Sequence, residues 1–251
     1  MKNKVDASFL MSSIKRYEDF GEKFVSSIYE IAKNKNYTFE IIISHPQKID
    51  DERVIWINEE ENLGQEVAFN NCAKISKGDY LFICVDDHIA TGDIFGVIDF
   101  LNSDLFKDRK YKTTTLAGGM TDDITFVEHS PSHPYLLDEE NTFNMPRFHV
   151  MPFPVVKRST YKNLLGGYMM HPKLWSMADW YLGAFLFFNG EPGLQYNGAK
   201  FESLPHDPGG PQQGKPDFKV TYNSVYKLIK NYKKGENYVY DIDCQLYNPN
   251  V

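Results

Sequence analysis

Residues 78–88 read Gly78-Asp79-Tyr80-Leu81-Phe82-Ile83-Cys84-Val85-Asp86-Asp87-His88. The run over 79–85 (DYLFICV) is the most apolar strand-like stretch of the chain, and its continuity predicts a strand buried on both faces. It stops abruptly in two carboxylates and an imidazole. In an open parallel α/β sheet, ligands bind just outside the carboxyl ends of the strands. A polar cluster at such an end is therefore where chemistry is expected. Asp86 and His88 point the same way if the segment stays extended, whereas a turn aligns Asp87 instead.

Working outward, strand and helix patterns alternate. Residues 5–11 (VDASFLM) predict a short buried strand. Phe20, Phe24, Ile28 and Ile31 then recur at helical spacing and predict an amphipathic helix. Residues 39–44 (FEIIIS) are nearly continuous and β-branched, as in a strand covered on both sides, and Pro46 ends them. Residues 53–57 predict another strand. A helix is predicted over 64–76, with Val67, Ala68, Cys72 and Ile75 inward and Gly78 as its stop. A further helix is expected over 93–101. Strands and helices at this pitch form a parallel sheet with right-handed crossovers.

The second half is less regular. Residues 112–117 predict a strand that Gly118-Gly119 breaks, and 120–149 a long loop or hairpin insertion. The proline-bearing run 150–156 predicts an edge strand. Ser159 is read as the cap of a short helix ending at Gly166-Gly167, and Ser176 as the cap of another running to Asn189-Gly190. A strand-like segment over 194–204 leads into the Gly/Pro-rich loop 205–216, and 221–232 predicts a last helix. One domain is expected. Its halves are 1–104 and 105–204, with an insertion over 118–150 and a lid loop and tail over 205–251.

Composition narrows the function. A net charge of −7 without a Lys/Arg block argues against nucleic acid as a partner. Aromatics make up 15% of residues, which is read mainly as a Phe/Tyr-rich core. Cys72, Cys84 and Cys244 lack metal-ligand spacing. Cys84 reads as core, and the expected setting is cytoplasmic and reducing. No stretch of 18 apolar residues is present, so any membrane contact is expected to be peripheral. His129, His133, His149 and His171 read as loop or surface histidines.

Asn62-Leu63-Gly64, Ala68-Phe69-Asn70, Gly78-Asp79-Tyr80, the apolar strand and Asp86-Asp87-His88 occur in one order. In that order the chain resembles the family 2 glycosyltransferases and their GT-A relatives, from about residue 5 to 190. The resemblance implies a mostly parallel central sheet flanked by helices. It also implies transfer of a sugar from a nucleotide-diphosphate donor to a glycan or other hydroxyl acceptor. Asn62, Gly64 and Asn70 match donor-side positions of the family, and Ser12 and Ser13 stand at a further donor-side place. Asp86 and His88 match metal ligands, and an imidazole among oxygen donors suits Mn²⁺ better than Mg²⁺. Asp179 matches the base that takes the acceptor proton in an inverting reaction, with Ala178 in place of the family's Glu. In the late loop, His206, Gly209 and Lys215-Pro216 resemble the tail motif of the family 8 retaining enzymes. This implies that His206 reaches the metal and Lys215 a phosphate, and it keeps a retaining course open beside inversion. Where family members carry Thr-Tyr-Asn and an Asp, this chain has Ser12-Ser13 and Ser44-His45-Pro46-Gln47, which leaves the base preference open, with Asp50 or Asp51 as substitutes for the Asp.

Two other readings stay in view. A non-catalytic sugar-nucleotide-binding protein fits Ala178 and the altered donor pocket. A nucleotidyltransferase needs a glycine-rich phosphate cradle after the first strand, and residues 12–19 (SSIKRYED) contain no glycine.

Overall fold

The computed structural model describes residues 4–13, 17–59, 64–108, 113–118, 153–172, 181, 182, 185 and 194–204. In chain order these hold β1 (Ala7–Ser12), α1 (Glu22–Ala32), β2 (Phe39–His45), β3 (Val54–Asn58), α2 (Gln65–Ile75) and β4 (Tyr80–Val85). Then come β5 (His88–Gly92), α3 (Gly96–Asn102), β6 (Thr113–Gly118), β7 (Phe153–Lys157), α4 (Arg158–Asn163) and β8 (Leu194–Ser203). The strands form one sheet in the order β3-β2-β1-β4-β7-β6-β8-β5. β3, β2, β1 and β4 run parallel. β7 is antiparallel to both β4 and β6, β6 and β8 are parallel, and β5 pairs antiparallel with the far half of β8.

The central strands are apolar throughout because both faces are covered. Ala7, Phe9 and Met11 share a core with Phe24, Val25 and Ile28 of α1 and Val97, Ile98 and Leu101 of α3. The alternate residues Leu10, Ile42, Leu81 and Ile83 are equally buried, and α2 packs on β1 and β2. The ring of Phe9 meets those of Phe24, Phe39, Phe82 and Phe95 at centroid distances of 4.6 to 6.5 Å. Pairs of this kind contribute ~0.5–1.5 kcal/mol each beyond the area they bury. Much of the aromatic content thus serves the core. Cys72 and Cys84 are buried thiols, and burial pushes the Cys72 thiol up to about 12.

Gly78 shows why β4 enters beside β1 where it does. Its N–H donates to Ser8 Oγ at 2.8 Å, and a Cβ there would lie 2.6 Å from the Ala7 carbonyl carbon and the Ser8 nitrogen. Only a residue without a side chain lets the two backbones approach so closely.

Several expectations are corrected. The residues after the acids form β5 before any helix starts, so α3 begins at Gly96 and not at 93. β7 lies inside the sheet, not at its edge. Its Pro154 is tolerated because the last β4 partner is Val155, leaving no β4 carbonyl for Pro154 to serve. Ser159 lies within α4, whose N-cap is Lys157 with no side-chain cap. Ile75 is 48% exposed, and Phe69 and Ala73 occupy the inward face of α2 in its stead. His171 is fully buried, edge-on to Tyr181 at 5.0 Å, and so is no surface histidine. Of the helix expected over 176–190, Tyr181, Leu182 and Phe185 are described, all helical and buried. The insertion 120–149, the loop 205–216 and the helix 221–232 lie outside the described residues. Among the described residues no helix is long and apolar enough to cross a membrane.

Candidate functional site

Three parallel strands end side by side, with Ser12 paired to Ser44 on one flank and to Val85 on the other. β4 then turns through Asp86 and Asp87 into β5. β5 leaves the main sheet's centre and pairs with β8, His88 standing opposite Ser203. The Leu204 N–H closes this arrangement by donating to the Asp87 carbonyl at 2.7 Å. The chain therefore leaves β8 beside the acidic turn, two residues before His206.

The acids are held from within. Ser13, fully buried, donates from Oγ to Asp86 Oδ2 at 2.8 Å, and its backbone N–H donates to the Ser44 carbonyl. Asp87 Oδ1 lies 2.6 Å from His88 Nδ1. The His88 side chain is 13% exposed, and its ring stands edge-on to Phe153 at 5.0 Å. Ser13 is thus joined to the acidic turn through Asp86.

The expected donor-side residues divide. Gly64 is the N-cap of α2 with φ 93°, a conformation that favours glycine, and its carbonyl accepts from the Ala68 N–H. Asn70 lies further along α2 and its amide turns to the second half of the chain. Nδ2 donates to the Met170 carbonyl at 2.8 Å, and the Met170 N–H donates to Oδ1 at 3.0 Å. Asn70 therefore ties α2 to the segment after Gly166-Gly167. Asn70→Ala leaves both polar backbone groups of the buried Met170 without these partners, and should lower stability by about 1–3 kcal/mol. A urea melt that moved by less than a few tenths of a kcal/mol would show that the tie carries little. Asn62, Asp179, His206 and Lys215 lie outside the described residues.

Sequence reasoning passed over Glu59, which follows β3. It is buried, with Oε2 accepting from Ser44 Oγ at 2.7 Å and Oε1 without a hydrogen bond. Burial raises its pKa, against smaller lowering effects of the Ser44 bond and His45. An acid directly after an apolar strand, as at Asp86, was the available signal.

Asp51, a suggested nucleoside contact, is clamped by Arg53 and Tyr17. Arg53 Nε and Nη2 reach its two oxygens at 2.9 and 2.8 Å, and Tyr17 Oη donates to Oδ2 at 3.0 Å. These residues line a cavity of about 430 Å³ together with Glu22, Asp50 and Glu52. The Arg53 hydrogen bonds, with lesser help from Tyr17, pull the Asp51 carboxyl down to about 2. A depressed carboxyl stabilises the fold above its unfolded pKa and loses that contribution as pH falls through the folded value. With the side chain 15% exposed, the expected cost of Asp51→Asn at pH 7 is about 1–2 kcal/mol after solvent screening. The gap between the two proteins should shrink as pH falls from about 4 towards 2. A gap independent of pH would mean that the charge is not what Arg53 reads.

No protein-family model matches the sequence, and no curated protein matches it. Solved structures do. A fragment of S. aureus TarS, residues 1–349, in complex with UDP aligns over 90% of this chain with a TM-score of 0.60 and 11% identity. The chain spans 64% of that fragment. The same fragment without UDP aligns at a TM-score of 0.55 and 12% identity, again over 90% of this chain and 64% of the fragment. In the longer TarS structure the match reaches 0.56 at 12% identity, over 90% of this chain and 39% of TarS. TarS has the GT-A fold.

This chain has the GT-A fold.

In GT-A terms the mostly parallel half is β3-β2-β1-β4, and the turn after β4 carries Asp86, Asp87 and His88. Among the described residues no group of three or more His, Cys, Asp or Glu is gathered so as to hold a metal ion. Divalent cations at phosphate sites are commonly held by one or two protein carboxylates, with substrate phosphates and water completing the shell. A carboxylate fixed by a buried hydroxyl and a neighbouring imidazole fits that kind of site.

Proposed function

We propose that this protein is a metal-dependent glycosyltransferase that moves a sugar from a nucleotide-diphosphate donor to a hydroxyl of a glycan or other acceptor, with inversion. The observation that carries the reading is the acidic turn at the carboxyl end of β4, where buried Ser13 holds Asp86. The chain's return to that turn at Leu204 supports it, as does the shared fold with a structure that binds UDP. Asp86 and His88, with His206 from the chain just past β8, are the residues for a divalent cation, Mn²⁺ before Mg²⁺. The cation supplies positive charge against the diphosphate as it departs.

The protein's own groups do the rest. Ser13 keeps Asp86 oriented. Lys215 offers a further charge to the diphosphate. Asp179 takes the proton of the acceptor hydroxyl while that oxygen bonds to the anomeric carbon from the face opposite the leaving group. The bond from the anomeric carbon to the diphosphate breaks, and the electron pair leaves with the diphosphate. The test is a thermal-shift screen of UDP, GDP, CMP and dTDP sugars with Mn²⁺ and with EDTA, followed by product analysis on the donor that binds. Stabilisation by one donor only when Mn²⁺ is present, and release of its nucleotide on turnover, is the expected result. Equal binding of every donor in EDTA would overturn the metal-dependent reading, and binding without turnover would favour the non-catalytic one.

A further inference from the structure

α2 is fastened to the second half of the chain at two points. At its C-terminal end Ser76 Oγ accepts from Arg158 Nη2 at 3.0 Å, while Arg158 Nε donates to the Gly78 carbonyl at 2.6 Å. Asn70 lies six residues before Ser76, about 9 Å back along the helix axis. There its amide takes both backbone groups of Met170, at 2.8 and 3.0 Å. Two fastenings fix the direction of a segment as well as its place, so residues 158–170 are carried with α2. Between them the chain turns at Gly166 and Gly167, whose φ values of 61° and 87° favour glycine. The Gly167 N–H donates to the Tyr161 carbonyl at 2.9 Å, and Leu165, Met169 and Met170 are buried.

The next residue, His171, is fully buried with its ring edge-on to Tyr181, 5.0 Å away. Tyr181 is itself fully buried and helical, and Asp179 precedes it by two residues in the sequence. On its other side α2 packs against β1 and β2, whose carboxyl ends lie beside the acidic turn. One amide thus stands between the strand ends and the helix of Tyr181. Transfer between two substrates needs their reacting atoms close and aligned, and a misplacement of about 1 Å can cost about a hundredfold in rate. Resting on the glycosyltransferase reading above, we infer that Asn70 is a positioning residue: its amide sets Met170, and through His171 the helix of Tyr181, in register with the donor half of the fold. A bond to one backbone group would leave Met170 free to pivot, and the paired bonds do not.

The test has one arm that needs no activity and one that reads it. Amide hydrogen exchange compares wild type, Asn70→Ala and a control, Asn102→Ala, which removes the acceptor of the Tyr80 hydroxyl elsewhere in the fold. In Asn70→Ala the amides of Met170, His171, Tyr181, Leu182 and Phe185 should exchange at least about tenfold faster, beyond any acceleration shared by β1, β2 and β4. Acceleration shared equally by all of them would make Asn70 a plain stability residue and overturn the proposal, as would a change that stops at Met170. The second arm uses the donor sugar that the thermal-shift screen selects, with Mn²⁺. In Asn70→Ala kcat for transfer should fall about 10- to 100-fold while donor affinity stays within about threefold, and the control should keep both. Asn70→Ser, in which a water can stand in for part of the amide, should show the same split at smaller size and serves if Asn70→Ala does not fold. Unchanged kcat in a variant with loosened second-half amides would overturn the positioning role. So would an equal loss of kcat in Asn102→Ala. A wild type that bound donor and transferred nothing would remove the catalytic reading and this role with it, and the exchange arm would still tell whether the link from Asn70 to Tyr181 exists.

Discussion

Asp86→Ala is expected to abolish metal-dependent nucleotide binding, with affinity for UDP and Mn²⁺ together falling by at least about a hundredfold. Two losses combine. In the proposed site the cation loses a carboxylate ligand, and the fully buried Ser13 Oγ loses the acceptor it now has 2.8 Å away. A buried polar group deprived of its partner costs about 1–3 kcal/mol of stability. Asp86→Asn separates the two effects, since an amide oxygen can still accept from Ser13 but contributes no charge. The expected pattern is near-normal stability with lost Mn²⁺-dependent binding in Asp86→Asn, and loss of both in Asp86→Ala. Calorimetry with Mn²⁺ and with EDTA, beside urea melts, reads each quantity. An Asp86→Asn protein that bound UDP and Mn²⁺ as the wild type does would remove Asp86 from the ligand set.

The second large effect is on turnover. Asp179→Asn should reduce transfer by about 10²–10⁴-fold, the usual loss when a general base is removed. UDP affinity in the presence of Mn²⁺ should change by no more than about threefold, because in the proposed reaction the base serves the acceptor oxygen and not the donor. This split distinguishes the role from that of Asp86, where binding and turnover fall together. Gly166-Gly167 and Met177-Ala178-Asp179-Trp180 are the segments whose resemblance implies this role. A variant keeping more than about a tenth of wild-type transfer would assign the proton to another group.

The first half of the fold was legible because its signals are local. The strand over 39–44 lies within β2, the helix over 64–76 contains α2, and the strand over 79–85 contains β4. An apolar run needs only its own residues to announce burial on both faces. The misread elements needed partners from elsewhere. β5 is five residues long, and His88-Ile89-Ala90-Thr91-Gly92 becomes a strand because β8 supplies its ladder. Pro154 suggested an edge, yet β7 is central because it pairs with β4 on one side and β6 on the other, and β4 stops pairing one residue short of the proline. His171 lies in a loop as expected, but it is buried edge-on to Tyr181 and not at the surface.

From sequence alone came the alternation of strands and helices, the mostly parallel sheet, and the placing of Asp86, Asp87 and His88 at the carboxyl end of its most apolar strand. Period and polarity along a short run determine these, and both can be counted in the chain. Only the tertiary structure decided what the polar side chains do. Ser13 reaches Asp86 across 73 residues and Asn70 reaches Met170 across 100, while Leu204 meets Asp87 at the end of β8. A buried hydroxyl, amide or backbone N–H must find a hydrogen-bond partner. Which partner it finds is set by the strands that the sheet order brings together, and no local spacing encodes that order.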